Sequence, residues 1–170
     1  MTSFLHDLTQ AITQKIAKKL CQPLDAPLAD QYFYQGQDGR MYPGFRHPDT
    51  GNKILPANNI GLAGMHTCDS IRKDASSGYS GLGPTYLAIG SLVLFGRDHL
   101  NIFQVADILE SKVTCDSATG QFELVEIVKD KHQIMTRFFP DHTESMITGQ
   151  LDIELVEFKY QITAKNCVCG

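Results

Sequence analysis

Apolar residues return every four positions at the start of the chain, at Leu8, Ile12, Ile16 and Leu20, with Leu5 on the same broad face. That spacing is close to one helical turn and predicts an amphipathic helix over Ser3–Leu20. Ser3 or Thr2 is placed to cap it and Asp7 falls in its first turn. Lys15, Lys18 and Lys19 crowd the last turns, where cations suit the helix dipole. Pro23 ends it. Three lysines bracketing an apolar stripe read as a solvated helix end rather than a phosphate or acidic-partner contact.

From Pro23 to Pro84 the periodicity stops. Six of the seven prolines lie here (23, 27, 43, 48, 56, 84), with glycines at 36, 39, 44, 51, 61, 64, 78, 81 and 83. Gln37-Asp38-Gly39 and Pro48-Asp49-Thr50-Gly51 are turn sequences, in which Asp bonds nearby backbone and Gly takes a positive φ. Gln31–Tyr34 and Met41-Tyr42 are short strand candidates. The remainder of 23–84 reads as an irregular loop or arm. Structureless loops beyond about 12–15 residues are uncommon in compact domains, so such an arm needs a surface to lie on, its own domain or a neighbouring subunit.

Regular patterning resumes at Tyr86. Tyr86–Phe95 reads as a largely buried strand, and Asp98 is placed to cap a helix from His99 to about Lys112 on the apolar positions Ile102, Val105 and Leu109. Phe122–Lys129 and Gln133–Phe139 read as strands about the turn Asp130-Lys131-His132. In the closing segment, apolar positions are odd at Leu151, Ile153 and Leu155, then even at Val156, Phe158, Tyr160 and Ile162. A one-residue phase change turns the core face to solvent unless an extra residue is absorbed, which predicts a β-bulge at 155–156. The outline is a single α+β domain over 1–170. It has an antiparallel sheet of about four strands covered by two helices, with 23–84 a long irregular arm.

Composition narrows the class. The chain has 170 residues, 42 % hydrophobic and 20 % charged, enough for one packed domain and unlike a disordered tail or a membrane protein. The apolar run Leu87–Phe95 is interrupted by Gly90 and Ser91 and is too short to span a bilayer. Met1–Asp7 has neither a basic n-region nor an apolar core, so no secretory signal is expected. Five cysteines, at 21, 68, 115, 167 and 169, form no regular framework and read as reduced thiols of a cytosolic chain. The net charge of −4 divides into +1 for residues 1–85 and −5 for 86–170. Without a basic stripe, nucleic acid is not expected as the main partner.

Few residues offer chemistry. Gly78-Tyr79-Ser80-Gly81-Leu82-Gly83-Pro84 is glycine-rich, but Pro84 and a strand follow it where a phosphate loop needs a helix N-terminus, so a hinge or inter-subunit loop is the better reading. His66, Cys68 and Asp69 are three potential metal ligands within four residues, and Cys167 and Cys169 are the available complement. The spacing matches no recurrent zinc pattern. Cys68 as a nucleophile lacks a base and an orienting group nearby in sequence, and Cys167 and Cys169 read as inert thiols of a frayed tail. Asp152, Glu154 and Glu157, with Glu123 and Glu126, alternate with apolar residues and read as an outward, solubilising sheet face. His47-Pro48-Asp49 after Arg46 reads as an exposed loop. No residue is assigned a catalytic, cofactor-binding or metal-ligating role.

The order of elements resembles a known family. Its features are the opening helix Ser3–Leu20, a long variable segment, a strand ending in Phe95-Gly96-Arg97 and a second helix at Ile102–Val113. The closing strand, Gln150–Ile162, ends in an aromatic-x-aromatic-x-aliphatic pattern. Together these are similar to the tail-terminator and tail-completion (neck) proteins of tailed bacteriophages, with 23–84 lacking a counterpart. The resemblance implies a structural virion protein assembled in the host cytoplasm. It implies a homo-oligomeric ring, typically a hexamer, that caps the tail tube, meets the sheath where there is one and offers a face to the head–tail connector. It implies no catalysis, cofactor or membrane partner. The alternatives are a small intracellular Cys/His-dependent or metal-binding enzyme using His66, Cys68 and Asp69, with or without Cys167 and Cys169, and a binding module with an acidic sheet face.

Overall fold

A computed structural model describes residues 3–20, 30–46, 50–53, 55, 61–74, 84–97, 99–142, 149 and 152–166. The elements are α1 (Ser3–Leu20), β1 (Asp30–Gln35), β2 (Met41–Arg46), β3 (Ala63–Lys73), β4 (Thr85–Gly96), α2 (Ile102–Ile108), β5 (Lys112–Thr114), β6 (Ala118–Val128), α3 (Lys131–Phe138), a 3₁₀ turn (Pro140–His142) and β7 (Glu154–Asn166). Five strands form one antiparallel sheet in the order β3-β4-β7-β6-β5, and β1 and β2 form a separate hairpin. The architecture is α+β with the sheet predominant.

Alternation along the strands gives the sheet two covered faces. On one, Ala88, Leu92 and Leu94 of β4, Phe122 of β6 and Val156, Phe158, Tyr160 and Ile162 of β7 meet Leu5, Leu8, Ile12 and Ile16 of α1 and Val105 and Ile108 of α2. On the other, Ala63, Met65, Val93, Phe95, Val128 and Leu155 meet Ile134, Met135 and Phe138 of α3. Burying each large aliphatic side chain contributes about 1.5–3 kcal/mol, so the α1 stripe is the main reason that helix is held.

The opening helix has the bounds its periodicity predicts. The side chains proposed as its caps, Thr2 and Ser3, lie outside the described residues, as does Asp98. Asn101 caps α2, its side chain accepting the Gln104 N–H at 3.2 Å, and the helix is shorter than the predicted 99–112 because Lys112 already belongs to β5.

Two of these expectations are overturned. Gln133–Phe139 is not a strand. Asp130 is the N-cap of α3, its carboxylate accepting the Gln133 N–H at 3.1 Å. The apolar positions 134, 135, 138 and 139 have helical rather than alternating spacing. Nor is β7 bulged at 155–156. It pairs with β4 without interruption from Gly96↔Glu154 to Thr85↔Lys165. Leu155 faces α3 and Val156 faces α1, so both parities are apolar because both faces are covered there. Register shifts occur instead in β3, between Cys68 and Ser70, and in β6, between Leu124 and Glu126.

The reading of 23–84 as an irregular arm is corrected in part, since β3 supplies an edge strand of the main sheet. Its outer half, Asp69–Lys73, is exposed and polar, which hid its alternation. Within the same stretch the turn at 37–39 forms as expected. Gly39 adopts φ +79° and Asp38 Oδ1 accepts the Arg40 N–H at 3.0 Å. Gly51, the last residue of the second turn sequence, is likewise at positive φ. Pro43 within β2 is tolerated because both strands of a two-stranded sheet are edges. The Gly78–Gly83 loop and His47-Pro48-Asp49 lie outside the described residues.

Asp130→Ala removes the α3 cap and should cost about 1 kcal/mol, read as a lower urea midpoint at unchanged m-value.

Candidate functional site

His66 is wholly buried, on the α1 side of β3, between two hydroxyl groups. Its Nε2 lies 2.7 Å from Thr13 Oγ1 and its Nδ1 lies 2.9 Å from the Tyr160 hydroxyl. Thr13 already donates its proton to the Thr9 carbonyl, so the imidazole donates from Nε2 and accepts at Nδ1 from the phenol. The result is one directed chain: Tyr160 O–H to His66, His66 to Thr13, Thr13 to the helix backbone. Tyr160 stands opposite Gly90 on the intervening strand. A Cβ at Gly90 would sit 2.2 Å from the Thr67 carbonyl oxygen and 3.2 Å from the Tyr160 hydroxyl. The bare backbone there is what lets the phenol cross β4 to reach β3.

Desolvation lowers the His66 pKa to about 3, and burial pushes the Tyr160 phenol far above its usual value. Both groups are therefore neutral over the physiological range. The arrangement ties α1 to two strands and leaves neither imidazole nitrogen open to a metal.

Cys68 follows on the same face, half-buried. Burial first, and the Asp69 carboxylate second, push its thiol above the ordinary value, the opposite of what activates a nucleophile. Asp69 occupies the β3 bulge and turns to the other side of the sheet, where Arg137 Nη2 approaches it at 3.3 Å. The sequence-adjacent trio His66, Cys68 and Asp69 is thus divided among a buried relay, a shielded thiol and an ion pair. Cys167 and Cys169 lie outside the described residues. Among those described, no three or more His, Cys, Asp or Glu side chains are grouped to hold a metal ion.

The expectation that the acidic residues make an outward face holds for Glu123 and for Glu126, which pairs with Lys159 at 2.9 Å. Asp152 is also exposed. Glu154 accepts the Leu100 N–H at 3.0 Å, tying the approach to α2 to the sheet. Glu157 overturns it. It is 1 % exposed and its Oε1 accepts from Ser91 Oγ and from Arg137 Nη1. The reason is α3: once 131–138 is a helix lying on that face, outward positions of β7 beneath it become interior. Asp69, Arg137, Glu157 and Ser91 form a continuous polar line under α3, beside a buried Thr67 hydroxyl that has no hydrogen-bond partner among the described residues.

The surface holds features that the sequence reading missed. The hairpin has two unlike faces. Tyr34 and Tyr42 pack at 6.2 Å between ring centres, Lys53 lies over Tyr34, and the Tyr42 hydroxyl donates to Asp38 at 2.6 Å. That bond, then the Arg40 N–H, holds the Asp38 carboxyl below its usual range. The other face carries Phe33, 65 % exposed, and Met41, 61 % exposed, which are diagonal neighbours across the two strands. β2 packs against α3, so the hairpin stands on the α3 side of the sheet. Phe103 of α2, 80 % exposed, and Val125 at the β6 bulge, 64 % exposed, lie on a different part of the molecule. Alternation and aromatic content in 31–45 were the available signals for the first of these. Among the described residues no helix is long and apolar enough to cross a membrane.

Two predictions follow the buried groups. His66 has a folded pKa near 3 against an ordinary 6.5, so the unfolded chain binds its proton first. Its contribution to stability is complete above pH 6.5 and is lost as pH falls towards 3, reaching about 2 kcal/mol by pH 5. Urea unfolding at pH 7 and pH 5 should show His66→Gln losing about that much less between the two pH values than the wild type, whatever its absolute stability. Arg137→Ala leaves the Glu157 carboxylate buried with Ser91 alone and should cost about 2 kcal/mol, below the full penalty for a buried pair because Arg137 is partly solvated. Adding Glu157→Gln should restore part of that loss.

Compared with known proteins, the chain finds no match among family models, curated proteins or solved structures.

Proposed function

We propose that this protein is a structural subunit of a tailed-phage virion, a ring-forming tail-terminator or neck protein that caps the tail tube and joins it to the head connector. The observation that carries the reading is the pair of unlike apolar surfaces. Phe33 and Met41 stand on a hairpin at the α3 side of the sheet, and Phe103 stands on α2 at the α1 side. A closed ring is built from a heterologous contact, in which each subunit offers two different patches and the rotation between copies closes. Large exposed apolar side chains in two separate places suit that requirement. The hairpin adds to it, because an isolated two-stranded sheet is marginal in water and gains from a second surface.

The element order from which the resemblance was drawn also supports the reading. α1, the strand at 85–96, α2 and a closing strand follow one another in that order, with α2 ending at Ile108 and the closing strand running Glu154–Asn166. A small Cys/His-dependent or metal-binding enzyme has less to draw on, because Asp69 turns to the face opposite His66 and Cys68, both His66 ring nitrogens are engaged and the Cys68 thiol is shielded.

Size-exclusion chromatography with light scattering tests the proposal. The expected species is a multiple of 18.9 kDa, about six-fold for a hexamer, that appears as an annulus in negative-stain electron microscopy. A single 18.9 kDa species at the highest attainable concentration overturns it.

A further inference from the structure

Three groups of polar side chains lie outside the apolar surfaces described above. The polar line under α3 closes on itself, since Arg137 already pairs with Asp69 and Glu157. The cavity of about 310 Å³ beside the hairpin turn holds Asp38 and Asp141, and Asp38 is engaged by Tyr42 and Arg40. The third is the turn after β5, where the strand register brings the thiols at 115, 167 and 169 within reach of one another.

Cys115 and Ala118 exchange both backbone hydrogen bonds, at 2.9 and 3.3 Å, and Ala118 pairs with Asn166 of β7. The three residues stand in one row across the sheet. Neighbouring strands are about 4.8 Å apart, so Cys115 is roughly 10 Å from Asn166. Cys167 and Cys169 lie outside the described residues but follow Asn166 directly. One residue adds about 3.8 Å and three add at most roughly 10 Å, so chain continuity allows both to share one ion with Cys115. Cys68 is too far away. It stands in the row of Gly90 and Tyr160, six residues back along β7, which is about 20 Å from Asn166, and on the opposite edge of the sheet. The partner of Cys167 and Cys169 is therefore Cys115 and not, as their sequence grouping suggested, Cys68.

The surroundings suit a cation. Cys115 is a free, half-buried thiol. Beside it, between α1 and the turn, lies a cavity of about 300 Å³ whose polar lining is Asp7, Gln10, Gln14, Asp116 and Ser117, with no Lys, Arg or His among the described residues. Ser117 donates to Asp7 at 2.5 Å, which fixes the turn to the first helix. Three thiols are an odd number for disulfides, one always being left over. A tetrahedral ion takes all three and leaves its fourth position to a carboxylate or water.

We propose that Cys115, Cys167 and Cys169 bind one thiophilic divalent ion of the zinc type. The ion staples the segment after β7 to the β5–β6 turn and, through Ser117 and Asp7, to α1. Thiolate sulfur selects a soft or borderline ion over magnesium or calcium. Each thiol releases its proton to solvent as its sulfur takes the metal, so three protons leave for one ion bound. The site does not depend on whether copies of the chain assemble.

Cadmium and zinc, each added alone to the reduced full chain, test it. Cadmium should produce the ultraviolet sulfur-to-metal charge-transfer band, saturating at one equivalent. One equivalent of zinc should shield three of the five thiols from an alkylating reagent and raise the urea midpoint. Cys115→Ser, and the double variant Cys167→Ser with Cys169→Ser, should keep the wild-type circular dichroism. Each should bind cadmium more than about 100-fold more weakly, beyond the loss usual for an outer-shell partner, and zinc should no longer raise its midpoint. Cys68→Ser should bind as the wild type does. A wild type without the band, a band of unchanged strength in Cys115→Ser, or its loss in Cys68→Ser each overturns the site. So does a disulfide between Cys115 and either later cysteine in a chain that takes up no metal when reduced.

Discussion

Thirteen residues near the end of the chain, Glu154–Asn166, have to be paired on both sides before anything else in this fold is complete. β7 lies between β4 and β6, and neither of those strands has another neighbour on that side. The face that receives α1 is built largely from β7 itself, through Phe158, Tyr160 and Ile162, so the first helix of the chain waits on the last strand. Nearly all of this pairing is between residues distant in sequence, which makes closure of the sheet the slow and cooperative event in folding.

Two buried polar arrangements set the register of that strand. Tyr160 must stand over Gly90 to reach His66, and Glu157 must lie on the opposite face to meet Ser91 and Arg137. A slip of one residue would carry the carboxylate into the apolar layer under α1 and turn the phenol towards α3. Buried polar pairs contribute little net stability once desolvation is counted, but each wrong register leaves them unsatisfied. Their role here is therefore discrimination between registers. The same reasoning explains why His66, which looks in sequence like a ligand or base, is spent on a neutral relay that anchors α1.

The outside of the molecule divides its apolar exposure unevenly. The long edge strand β3 is defended by charge and a bulge, whereas the hairpin and the α2 and β6 region leave Phe33, Met41, Phe103 and Val125 in solvent. Isolated apolar surface residues are ordinary, but two exposed apolar groups side by side on a separate two-stranded sheet are not what a free monomer needs. This asymmetry, a guarded edge beside two unguarded surfaces, is what directs the functional reading towards assembly.

Local signals alone determined much of the framework. The α1 stripe, the apolar run of β4, the Asp38-Gly39 turn and the even-numbered face of β7 are each carried by residues adjacent along one element, so their spacing is legible without a partner. Most of what was misread depended on what lies across space. Glu157 looked outward because its cover, α3, is twenty residues away in the chain. Val156 looked like a phase error because a strand buried on both faces has no preferred parity. β3 looked like loop because half of it is an exposed edge. The α3 helix is the exception: its cap and its helical spacing were present in 130–139 and lost to a short run of strand-like residues. Periodicity reports one covered face at a time, and which second face is covered is decided only when the layers come together.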